Sequence, residues 1–145
     1  MKKLVIGLTL ISSISAFASL NCDSLRMEEK GNQYTGVGSP KIIKLSEDGR
    51  AEDFLLTNYF HYKGEGNFSN ITNDHAYWLS ASESCIGSDC SLVGTIDYTS
   101  VMYERDFSKG SATEMGGFHY PVNIKKDEQQ FFPLKDGNIL RIKCH

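Results

Sequence analysis

The sequence predicts an all-β, mainly antiparallel domain: a small sandwich or barrel of about six to eight strands, tied by two disulfides. Three observations carry that expectation. Thirteen glycines and three prolines punctuate short apolar segments, and several of those segments alternate with period two, the texture of antiparallel sheets joined by tight turns. Two Asp-Gly steps, Asp48-Gly49 and Asp136-Gly137, sit between such segments, where a hairpin turn needs residues that tolerate positive φ. All four cysteines, Cys22, Cys85, Cys90 and Cys144, follow an N-terminal segment with the anatomy of an export signal.

That segment reads MKKLVIGLTLISSISAFA, with Lys2 and Lys3, an apolar run from Leu4 to Ile14 and the small-residue pattern Ala16-Phe17-Ala18. It predicts a signal peptide over 1–18 with cleavage after Ala18. The run is shorter than the ~20 apolar residues that cross a bilayer. Asn21 directly before Cys22 does not fit the small-residue pattern of a lipid-attachment site. Residues 19–145 are then one domain, large enough for a single core.

Loss of the signal leaves 13 basic against 18 acidic residues, a net charge of −5. The pair Lys125-Lys126 is followed at once by Asp127-Glu128, so no basic patch invites nucleic acid or an anionic membrane surface. No apolar stretch after residue 18 is long enough to form a transmembrane segment. The expected compartment is periplasmic or secreted, reached by a bacterial-type signal.

Taken in order, the segment CDSLRMEEK could supply one or two helical turns near the mature N-terminus. KIIKLSEDGRAEDFLLTNYFHY predicts a hairpin about a two-residue turn, which sets Glu47 opposite Arg50, Ile43 opposite Phe54 and Lys44 opposite Asp53. Alternation then sends Phe54, Leu56, Phe60 and Tyr62 to the core. It leaves Tyr59 and His61 on a mixed, partly exposed face able to meet a partner or a sugar ring. AYWLSAS and SLVGTIDYTSVMYERD predict two further strands, the second alternating less cleanly, with Leu92, Ile96, Tyr98 and Met102 on one side. FHYPVNI sets Phe118, Tyr120, Val122 and Ile124 on one face. The last hairpin, about Asp136-Gly137, sets Leu134 opposite Ile139, Phe131 opposite Ile142 and Phe132 opposite Arg141, with Pro133 confining its strand to an edge or a bulge.

Four cysteines allow three connectivities. The expected pairing is Cys85 with Cys90, a local staple between two strands, and Cys22 with Cys144, which joins the ends of the domain. Chain entropy makes them unequal, about 2 kcal/mol for a ~6-residue loop and about 5 kcal/mol for a ~120-residue one. The short staple would shape a rigid exposed loop, and Ile86 and Asp89 on it are candidate binding residues.

Catalytic signatures are scarce. The chain has no His-Glu-x-x-His, no Gly-x-Ser-x-Gly, no phosphate or calcium loop and no Cys-x-x-Cys. The histidines His61, His75, His119 and His145 are scattered rather than spaced as metal ligands. Gly36-Val37-Gly38 and Gly64-Glu65-Gly66 read as turns. Asn67-Phe68-Ser69 and Asn70-Ile71-Thr72 match the glycosylation acceptor pattern, which a bacterial-type signal discounts. No catalytic residue, metal or other cofactor is expected. The function expected is a non-catalytic exported domain that binds a protein or a small ligand, with Tyr59, His61, Ile86 and Asp89 as site candidates. The alternative is a small secreted hydrolase-type enzyme built on Asp74 and His75, where a carboxylate could orient an imidazole, or on an assembled site that includes His119.

Overall fold

A computed structural model describes residues 20–63, 71–103, 112–115 and 117–145, without side chains at 60–63, 71–73, 102–103 and 112–115. The expected signal segment and the two sequences that match the glycosylation pattern lie outside these residues or reach into them only as backbone. The described residues form nine strands: β1 (Cys22–Lys30), β2 (Gln33–Ile43), β3 (Arg50–Lys63), β4 (Ile71–Ile86), β5 (Asp89–Tyr103), β6 (Ala112–Met115), β7 (His119–Lys125), β8 (Gln129–Pro133) and β9 (Ile139–Cys144). The described residues contain no α-helix, and thus no helix long and apolar enough to cross a membrane.

The strands form two antiparallel sheets. The first runs β2-β1-β9-β8; in the second, β3-β4-β5 is extended on the far side of β5 by β6 and β7, each against a different stretch of it. Their inner faces meet as a sandwich. Tyr77, Leu79, Leu92, Ile96, Val122 and Ile124 from one sheet are buried against Phe132, Leu140 and Ile142 from the other. The inward positions of β5 and β7 are those that period-two alternation assigns: Leu92, Ile96 and Tyr98 are buried, and Phe118, Tyr120, Val122 and Ile124 share the core face.

The segment CDSLRMEEK is strand β1, not helix. It lies between β2 and β9, and its Cys22 and Ser24 are buried. Pairing on both edges satisfies its backbone, which outweighs any local preference for a helical turn.

Both Asp-Gly steps are turns, and both differ from the expected register in the same way. Ser46 accepts a hydrogen bond from Gly49 N–H and donates its own N–H to Arg50 C=O. Leu134 does the same with Gly137 and Asn138. Each loop therefore holds three residues, Glu47-Asp48-Gly49 and Lys135-Asp136-Gly137, with the glycine alone at positive φ, +74° and +87°. That is the three-residue alternative to the two-residue turn, with the glycine in the left-handed position. In the C-terminal hairpin the extra loop residue moves the register by one, so that Phe132 pairs with Leu140 and Phe131 with Arg141. The slip brings two buried apolar residues face to face, which fixes the choice.

At the first turn the correction goes further. β2 pairs with β1 and β3 with β4, so the two segments belong to different sheets, and the chain turns a corner of the sandwich there. The pairs Ile43–Phe54 and Lys44–Asp53 are not formed.

Pro133 ends β8, an edge strand as expected. The edge is not bare. The amide of Gln130 accepts from Asn123 N–H and donates to Pro121 C=O, while Tyr120 O–H donates to Pro133 C=O. One side-chain amide and one phenol thus close the seam between β7 and β8, where no ladder runs.

Candidate functional site

The β4–β5 hairpin closes on a two-residue turn, Gly87-Ser88, with Ile86 opposite Asp89 and Cys85 opposite Cys90. Cys85 and Cys90 are disulfide-bonded, as are Cys22 and Cys144, so the connectivity is the expected one. Cys22 and Cys144 are directly opposite on neighbouring strands, as are Cys85 and Cys90. Such covalent ties are compatible with an extracellular or periplasmic location.

One reverse turn joins the two bonds. Residues 125–128 fold back with Glu128 N–H donating to Lys125 C=O and Asp127 at φ +64°. Within it Lys126 N–H donates to Cys90 C=O, Asp127 N–H to Cys144 C=O, and Cys144 N–H to Glu128 C=O. The backbone of this turn therefore touches both disulfide-bonded ladders and holds them at one end of the sandwich. Glu83 adds a further tie there, its Oε1 accepting Leu20 N–H at 2.7 Å.

On the outer face of the second sheet, at this stapled end, lies an open groove of about 730 Å³. Ile86 and Asp89 line it from the hairpin tip, Val93 and Asn123 from the sheet, and Lys125 and Asp127 from the turn. Ile86 is 84 % exposed, the highest value among the exposed large apolar side chains described. Two of the four binding candidates, Ile86 and Asp89, are thus neighbours in one concave surface. The turn residues beside them carry a signal that the sequence offers only as a charge pattern, Lys125-Lys126-Asp127-Glu128, self-neutralising and so inconspicuous.

Tyr59 is placed elsewhere. A bulge between Leu55 and Thr57 breaks the alternation of β3, so that Phe54, Leu56 and Tyr59 all meet the core. This corrects the expected separation of Tyr59 from the core-facing Phe54 and Leu56, though its ring stays only partly buried. Its ring stacks on His75 at 4.7 Å, and His75 Nδ1 is 2.6 Å from Tyr98 Oη, whose ring stacks on Phe118 at 4.7 Å. Burial, then its neighbours Tyr77 and Asp136, push the Tyr59 phenol far above the ordinary tyrosine range. Burial also raises Tyr77, against the opposing hydrogen bonds from Lys135 N–H and Tyr59. The side chain of His61 lies outside the described residues.

The turn Lys135-Asp136-Gly137 covers these rings from the first sheet. Lys135 N–H donates to Tyr77 Oη at 2.8 Å, Lys135 Nζ lies 5.0 Å from the Phe118 ring centroid, and Asp136 forms an ion pair with Arg26. Arg26 in turn lies 5.3 Å over Tyr59. These are ordinary cation–π and stacking contacts.

No protein-family model matches the chain, and neither a curated protein nor a solved structure matches it.

The residues proposed for acid–base chemistry are not brought together. Asp74 and His75 are consecutive on an unbulged stretch of β4 and point to opposite faces. His75 is engaged with Tyr98, and His119 is exposed and pairs with Asp97 across β5 and β7. Among the described residues, Glu83, Cys85 and Cys90 bring their ligand-type atoms within 4.8 Å of one another. Both sulfurs there are spent in the disulfide, which leaves no thiolate to coordinate a metal.

Proposed function

We propose that the chain is an exported binding domain that recognises a protein partner through the groove at its stapled end. The observation that carries this reading is Ile86, an apolar side chain 84 % exposed at the tip of a hairpin that a disulfide closes. A rigid tip loses little conformational entropy when it docks, so its apolar area converts into affinity more fully than that of a floppy loop. Around it Asp89, Lys125 and Asp127 supply both signs of charge, the pattern of a polar rim about a small apolar centre. The open shape of the groove favours a macromolecular surface over an engulfed small ligand.

A photoreactive amino acid placed at Ile86 of the exported protein tests the reading, with the same group at exposed Glu52 as control. A discrete protein adduct is expected at position 86, absent at position 52 and lost when Asp89→Lys and Lys125→Glu are added. Equal labelling at both positions would overturn the proposal. Intact mass of the same exported material reports whether the chain begins at Ser19.

A further inference from the structure

Every sheet edge is a row of unpaired backbone groups, and proteins guard such rows with charges, prolines, bulges, brevity or a cover. Among the described residues three of the edges here are guarded. β3 carries two bulges and the exposed acids Glu52 and Asp53, the latter at φ +47°. β6 is four residues long. β7 and β8 close on each other through Gln130 and Tyr120.

The edge of β2 is different. From Gln33 to Pro40 it runs eight residues without a charge, and all of them are exposed. Lys41, next in line, turns its ammonium to Leu55 C=O and over the Phe54 ring, 4.9 Å away. Pro40 and the positive φ of Gly38, +76°, protect only the far part of the strand. The stretch Gln33–Val37 has no such device.

The register shows which backbone groups stand free. Asn21 and His145 exchange both of their hydrogen bonds, so by alternation Cys22, Ser24, Arg26 and Glu28 direct theirs toward β2. Arg26 pairs with Val37, Glu28 with Thr35 and Lys30 with Gln33, which consumes the groups of those β2 residues. Tyr34 and Gly36 are left with N–H and C=O directed away from the sheet.

We infer that β2 pairs with β2 of a second copy of this chain, antiparallel, about a two-fold axis at Thr35. Tyr34 of each copy then exchanges both backbone hydrogen bonds with Gly36 of the other, and Thr35 faces Thr35. The uncharged run carries no like-charge repulsion into self-pairing, and a Thr–Thr pair is a favourable cross-strand contact. Gly36 fits the arrangement for a second reason. Leu25 Cδ2 lies 2.7 Å from where a Cβ on Gly36 would stand, so Leu25 leans over the glycine. Tyr34 of the second copy, opposite Gly36, lays its ring across that glycine and against Leu25, which covers an aromatic group now 46 % exposed. The product is a continuous eight-stranded sheet with two-fold symmetry, the commonest closed form of self-association. It leaves the stapled-end groove, on the other sheet, uncovered and does not depend on what that groove binds.

Sedimentation velocity of the signal-free chain over a wide concentration range tests this. A reversible shift from monomer to dimer is expected. Tyr34→Pro removes an N–H that makes no hydrogen bond within the chain, so it should abolish the dimer and keep the melting temperature; Thr35→Pro removes an internal hydrogen bond and should lower it. Thr35→Lys alone and Thr35→Glu alone should each be monomeric, and their mixture should restore the dimer as a one-to-one heterodimer. A wild-type chain that stays monomeric up to its solubility limit, a Tyr34→Pro chain that still dimerises, or a Lys/Glu mixture that fails to pair would each overturn the inference.

Discussion

At the end where Cys22 and Cys144 meet, two covalent bonds and one reverse turn hold strands from both sheets; at the other end of β8 and β9 the same sheets are joined by stacked rings and two cations. The stapled end is held by covalent bonds and backbone hydrogen bonds rather than by side-chain packing, and it carries the exposed Ile86 and the open groove. The aromatic end depends on burial. Tyr77 is fully buried and Tyr98 nearly so, and the Lys135 and Arg26 side chains lie over the rings of this end. The difference explains why two of the four site candidates read from the sequence fall in one groove while Tyr59 is part of the packing.

Three measurements sharpen the contrast, in falling order of expected effect. Replacing Cys22 and Cys144 together by serine should destabilise the domain by about 5 kcal/mol, against about 2 kcal/mol for the Cys85 and Cys90 pair, as read by denaturant unfolding. Equal losses would mean that loop length is not what separates them. At the aromatic end Tyr77→Phe leaves Lys135 N–H without its acceptor and should cost about 1 kcal/mol. A neutral result would place water or another acceptor at that N–H. Smallest at neutral pH is Tyr59→Phe, whose effect appears on the alkaline side. The Tyr59 phenol is raised in the fold, so its contribution is complete below the ordinary tyrosine pKa of about 10 and is lost as pH rises beyond it. The wild-type melting temperature should fall through that range, and Tyr59→Phe should move the onset to higher pH. An unchanged alkaline limb would assign it to other groups.

The Cys85–Cys90 bond, the β class and the inward faces of β5 and β7 were legible because a local cause governs each: short sequence separation for the bond, which leaves Cys22 to Cys144, and period-two alternation for the strands, less clean in β5 than in β7. The turns were legible as turns but not in length, since Asp-Gly serves two-residue and three-residue loops alike. What selects the longer loop is tertiary, the match of Phe132 to Leu140 across the C-terminal ladder. The face of Tyr59 was hidden by the bulge between Leu55 and Thr57, which no local pattern marks. The strand at CDSLRMEEK was hidden because its partners, β2 and β9, include the farthest part of the chain. The Lys126–Glu128 turn was hidden as a site element for the same reason: its importance comes from reaching Cys90 and Cys144 at once.

The bond between Cys22 and Cys144 also decides how the domain answers a pull. Their Cα atoms are 4.0 Å apart, so tension applied to the chain outside these two cysteines passes through that single linkage and not through the 121 residues enclosed between them. A motor that threads a polypeptide from either side meets a closed ring at this bond, and the strands within the ring cannot be drawn out one by one while the bond is intact. Loosening this fold by force requires reduction first.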